Sequence, residues 1–111
     1  MTTGAFEQQF AAMAAEYHAT LPAKLAELDV LWHAVREGGS PESLDQLRRA
    51  LHTIAGTAGT FGLRAVTDCA RAAESFLDPY CDSGDSLKPG DLAVFGGLLE
   101  AVRKSALPPE K

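Results

Sequence analysis

The chain has 111 residues, 46% of them hydrophobic and 23% charged, which suits one compact domain with one core and is too short for two. The formal net charge of −5 removes the electrostatic basis for binding DNA, RNA or anionic lipid. Alanine and leucine are abundant and isoleucine occurs once, at Ile54, a bias toward helix over sheet.

Five helical segments follow from punctuation and period, at about 4–18, 21–37, 41–59, 63–79 and 89–105. The first carries Phe6, Phe10, Met13 and Tyr17 as one apolar stripe. Thr20-Leu21-Pro22 interrupts it as the cap and first turn of a new helix, with a kinked continuous helix as the alternative. Leu21, Leu25, Leu28, Leu31, Trp32 and Val35 keep the period until Gly38-Gly39 stops it. Ser40-Pro41-Glu42 reads as a cap, a first helical residue and a favourable first-turn charge. Leu44, Leu47, Leu51, Ile54 and Ala58 follow, and Phe61-Gly62 makes a short corner. Leu63, Val66, Ala70, Ala73 and Leu77 share the next face, which Pro79 closes. Cys81 to Ser86 reads as a polar loop. Pro89 opens a last helix with Leu92, Phe95, Leu99 and Val102 facing inward, and Pro108-Pro109 closes the chain.

Such helices bury their stripes as an all-α, antiparallel up-down four-helix bundle, with the N-terminal segment as an additional short helix laid against it. The most apolar stretch, Leu92 to Leu99, is far below the roughly 20 residues that span a bilayer. The N-terminus lacks a basic flank followed by an apolar run. Cys69 and Cys81 show no C-x-x-C spacing. A cytoplasmic protein with free thiols is the simplest expectation.

The segment with chemical content is Leu47 to Gly62. On a helix at about 100° per residue, Leu44, Leu47, Leu51, Ile54 and Ala58 fall in one sector roughly 80° wide. His52 lies about 120° from its centre and therefore looks outward, with Asp45 and Arg48 on one side of its stripe and Gly56 and Gly59 on the other. A glycine inside a helix costs about 1 kcal/mol relative to alanine. Two of them beside one histidine leave the imidazole open to the surface of another protein. Close helix packing is the competing explanation for the same glycines.

The run His52-Thr53-Ile54-Ala55-Gly56-Thr57-Ala58-Gly59-Thr60-Phe61-Gly62 resembles the phosphorylation-site signature of the histidine-containing phosphotransfer (HPt) family. The resemblance extends to the lead-in before the histidine, to the Ala-rich following helix with Glu74 and to the order of helices. It implies a phosphorelay role in which His52 exchanges a phosphoryl group with an aspartate on a receiver domain. The chain would be a covalent carrier without kinase activity of its own. A neutral imidazole nitrogen, Nε2, would attack phosphorus in line. The implied partners are a response-regulator receiver domain and a hybrid histidine kinase, with no nucleic acid and no membrane, and the expected state is a monomer. No cofactor is implied, because Mg²⁺ would belong to the receiver.

The family usually has lysine where this chain has Ala55, so either Arg48 or Arg49 supports the phosphoryl charge, Arg48 being the better placed, or the phosphohistidine is less well held. Ordinary surface pairing with Asp45, or with Glu42 for Arg49, is the competing role. Ala55, Gly56 and Gly59, with parts of the helix before Ser40, are expected to dock the partner. A non-transferring HPt-like adaptor or inhibitor that docks a receiver or kinase is the alternative function. A zinc site built from His18, His33, His52, Cys69 and Cys81 lacks short ligand spacing, and no metal is expected.

Overall fold

The computed structural model describes residues 2–38, 40–84 and 87–106. Gly39 of the first stop signal, Asp85 and Ser86 of the polar loop, and the closing Pro108-Pro109 lie outside the described residues. Four helices account for the architecture: α1 (Thr2–Arg36), α2 (Pro41–Thr60), α3 (Arg64–Ser83) and α4 (Pro89–Ser105). Among the described residues there is no strand, and no helix is long and apolar enough to cross a membrane.

The helices pack in chain order as an antiparallel bundle, α1 on α2, α2 on α3 and α3 on α4. α4 also meets α1, where the rings of Trp32 and Phe95 stand 5.0 Å apart and Arg103 pairs with Asp29. The expected inward faces are the ones buried. Leu44, Leu47, Leu51, Ile54 and Ala58 of α2 meet Val66, Ala70, Ala73 and Leu77 of α3, with Phe95, Leu99 and Val102 of α4 behind them.

Pro22 was expected in the first turn of a new helix and Pro79 at the end of one, and both instead lie inside helices, the continuous helix being the alternative for Pro22. In place of separate segments over 4–18 and 21–37, α1 is one helix of 35 residues running through Pro22. Pro22 removes one backbone donor, and proline inside a helix costs about 3 kcal/mol. Tyr17, Leu21, Leu28 and Trp32 are all buried on one side of α1. At about 1.5–3 kcal/mol for each large apolar side chain, their burial outweighs that cost. The Thr20 hydroxyl, expected to cap a new helix, instead donates back to the Tyr17 carbonyl at 2.7 Å. Similarly, α3 continues past Pro79, so Cys81, Asp82 and Ser83 are helical rather than part of a loop. Tyr80 rewards that extra turn by donating its hydroxyl to Asp91 of α4 at 2.6 Å. Gly84, in the left-handed conformation at φ 78°, then ends α3.

At 1.5 Å per residue α1 is about 52 Å long against about 30 Å for α2. Its N-terminal half therefore runs past the α2–α3 corner. Phe10 and Tyr17 bracket the ring of Phe61 there, with centroids 5.7 and 5.5 Å away. Of the expected apolar stripe only Tyr17 is buried, while Phe6, Phe10 and Met13 are exposed, because among the described residues no helix lies alongside to cover them beyond the corner.

The corner fixes the relation between α2 and α3. Gly62 takes φ 77°, its N–H donates to the Gly59 carbonyl at 3.1 Å, and the Leu63 N–H donates to Ala58 at 2.9 Å. This pair of bonds is a Schellman closure, and it turns the chain back on itself about Leu63. Residues equally far from Leu63 on the two helices then come side by side.

Candidate functional site

His52 and Glu74 lie eleven residues before and after Leu63, and the hairpin places them in contact. The Glu74 carboxylate stands 2.8 Å from Nδ1 of His52. Glu74 is mostly shielded, its side chain 16% exposed, whereas the histidine side chain is 74% exposed. An ionised carboxylate offers only acceptors, so Nδ1 carries the proton that faces it. In the neutral ring the lone pair is then on Nε2, the nitrogen turned away from Glu74. Glu74 carried no assigned role in the sequence. Counting outward from the Phe61-Gly62 corner would have found it.

The three small residues expected beside His52 have different surroundings. Gly56 is open, with no atom within 4 Å of where a Cβ would stand. A Cβ on Gly59 would meet the Thr67 hydroxyl at 3.3 Å, so this glycine has a packing role as well as an outward position. Ala55, expected to be accessible to a partner, is instead 2% exposed and belongs to the core between α2 and α3. It lies about 60° nearer the apolar sector than His52, and the Thr67 hydroxyl donates to its carbonyl at 3.1 Å. The Gly56→Ala protein should be more stable than the parent by about 0.5–1 kcal/mol, since glycine pays backbone entropy in a helix. Gly59→Ala should gain less or lose stability, because Thr67 must move. Urea unfolding of both variants checks the contrast.

Arg48 and Arg49 are both engaged by Asp45, at 2.8 Å each, and Arg48 also reaches Asp78 of α3 at 3.9 Å. The hydrogen bond from Arg48 holds the Asp45 carboxyl below the usual carboxylate range. Burial pushes the neighbouring Cys81 thiol up, with Arg48 acting in the opposite direction. The cluster sits one turn and more before His52, toward the start of α2. An open cavity of about 440 Å³ adjoins it, lined by Pro41, Glu42, Asp45, Gln46, Arg49 and Cys81, and His52 is not part of its wall. In this structure the two arginines serve the pairing role with Asp45.

An exposed histidine on a helix, its inner nitrogen held by a carboxylate from the next helix, leaves the lone pair of the outer nitrogen accessible, which is chemically what a nucleophile requires. The sequence model of the Hpt domain matches residues 8–105, which includes this site and parts of all four helices. No curated protein and no solved structure gave a significant match to the chain. With 98 of its 111 residues inside that match, the chain belongs to the Hpt domain family, the histidine phosphotransfer domains of two-component signalling.

Proposed function

We propose that the protein is a phosphorelay intermediate in which His52 takes a phosphoryl group from an aspartyl phosphate of a receiver domain, or returns it. The observation that carries this reading is the Nδ1–Glu74 contact beneath an imidazole that is otherwise open. In the step, the Nε2 lone pair forms a bond to phosphorus as the P–O bond to the donor aspartate breaks. The electron pair leaves with the aspartate oxygen, and the ring gains positive charge. The Glu74 carboxylate, bonded to Nδ1–H, offsets that charge, and the Nδ1 proton stays in place throughout. Mg²⁺ belongs to the receiver, and this chain contributes the nucleophile and a surface that includes Gly56 and Gly59. A receiver domain and a hybrid histidine kinase are the partners of this reading.

Incubation with a phosphorylated receiver domain should transfer label to the protein in a form that is acid-labile and base-stable. A receiver that binds but leaves no such label would identify a docking adaptor instead and overturn the transfer reading. Glu74→Gln keeps the shape but replaces the charged acceptor. Hydrogen bonds to charged groups contribute about 1.5–3 kcal/mol, and the exposure of His52 places this one at the low end, so transfer should slow about tenfold. Nitrogen-15 NMR of the ring should show Nε2–H tautomer appearing in that variant. An unchanged tautomer and an unchanged rate together would remove Glu74 from the mechanism.

A further inference from the structure

A phosphoryl group on His52 adds up to two negative charges beside the Glu74 carboxylate, on a chain that already carries a net charge of −5. That accumulation needs a cation, and Arg48 and Arg49 are held by Asp45. The hairpin offers another. Ala55 and Arg71 are each eight residues from Leu63, so Arg71 lies on α3 at the level of Ala55, just under one turn from His52 on the side toward the corner. Thr67, Arg71, Glu74 and Asp78 follow one another at spacings of four, three and four, a single stripe of α3. The other three members of that stripe all reach α2: Thr67 bonds to Ala55, Glu74 to His52, and Asp78 pairs with Arg48. Arg71 is exposed, and among the described residues it has no ion pair. No atom lies within 4 Å of where a Cβ on Gly56 would stand, so nothing crowds the outer side of this stretch of α2. Packed helix axes are about 8–10 Å apart, a gap that an extended arginine can cross.

We infer that Arg71 binds the phosphoryl oxygens on His52, its guanidinium reaching across from α3. The cations of α2 near His52, Arg48 and Arg49, are engaged by Asp45, so the cation comes from the facing helix. Two N–H groups of one guanidinium can hold two phosphoryl oxygens at once, which also aligns the group for in-line transfer.

This inference rests on His52 being the phosphoryl carrier, and the test separates the two ideas. Potassium phosphoramidate serves as a small-molecule phosphoryl donor, with ammonia as the leaving group, so no partner protein enters. Phosphohistidine is followed by phosphorus-31 NMR on the wild type, Arg71→Ala, Arg71→Lys and His52→Gln, with helical content checked by circular dichroism. Loss of one charge-assisted contact to the phosphoryl group should slow labelling of Arg71→Ala about tenfold, with Arg71→Lys in between. The phosphorus resonance of the labelled Arg71→Ala protein should titrate at higher pH than that of the wild type, because the dianion has lost its counter-charge. A merely structural arginine would not move that titration. Equal labelling rates and an unchanged titration in Arg71→Ala would overturn this inference alone. No label on the wild type would overturn the carrier reading and this inference with it.

Discussion

His52→Gln is expected to abolish phosphoryl transfer while leaving the fold intact. The glutamine amide can hydrogen-bond but has no basic lone pair to attack phosphorus, and removal of a covalent nucleophile lowers rates on the order of 10³-fold or more. The histidine side chain is 74% exposed and makes one polar contact, to Glu74. Stability should therefore change within about 0.5 kcal/mol, the usual range for surface positions. Transfer from a labelled receiver and urea unfolding on the same preparation check both halves. Label on His52→Gln equal to that on the wild type would place the acceptor elsewhere in the chain.

Phe95→Ala is expected to produce the largest loss of stability of the substitutions considered. Phe95 is fully buried, and its ring lies 5.0 Å from Trp32 of α1 and 5.9 Å from Phe76 of α3. It joins three helices, so little can collapse into the space it leaves. Truncating a buried phenylalanine costs about 3–5 kcal/mol, against a total of about 5–15 kcal/mol for a typical domain. The midpoint in urea should fall sharply with little change in slope. Val94→Ala, at an exposed neighbouring position, serves as the control and should shift stability by less than about 0.5 kcal/mol. A Phe95→Ala protein as stable as that control would mean that α4 does not seal the core.

The inward faces of α2, α3 and α4 were legible because periodic leucines, alanines and valines declare a buried stripe wherever a helix has neighbours. The prolines misled because local cost is visible in a sequence and the packing that overrides it is not: Pro22 is carried inside α1 by the buried residues around it, and Pro79 inside α3 by Tyr80, which packs against the core and bonds to Asp91. The same limit applies to Phe6, Phe10 and Met13, whose spacing is right for a core but whose segment outruns its partners. At the site, His52 and the openness of Gly56 could be read from one helical wheel. Ala55 sat near the edge of that wheel's apolar sector, and only the closeness of α3 decides that it is buried. Glu74 required a second helix and its register. The sequence holds that register in the glycine corner, though only once α2 and α3 are taken to form a hairpin. The arginines were visible as charges, and what engages them, Asp45, was already the competing partner.

The closure at Gly62 makes the chemistry of the imidazole a matter of counting. One residue more between Phe61 and Leu63 would advance α3 by about 1.5 Å and rotate it by about 100°, bringing a neighbour of Glu74 opposite His52. A whole extra turn would restore the angle but displace the carboxylate by about 5.4 Å along the axis. Neither change touches the histidine, yet each would release its inner nitrogen and let the proton migrate between the two ring positions. The length of the corner thus acts as a gauge that selects which ring nitrogen carries the proton, a property that no substitution confined to the surface of the bundle would reset.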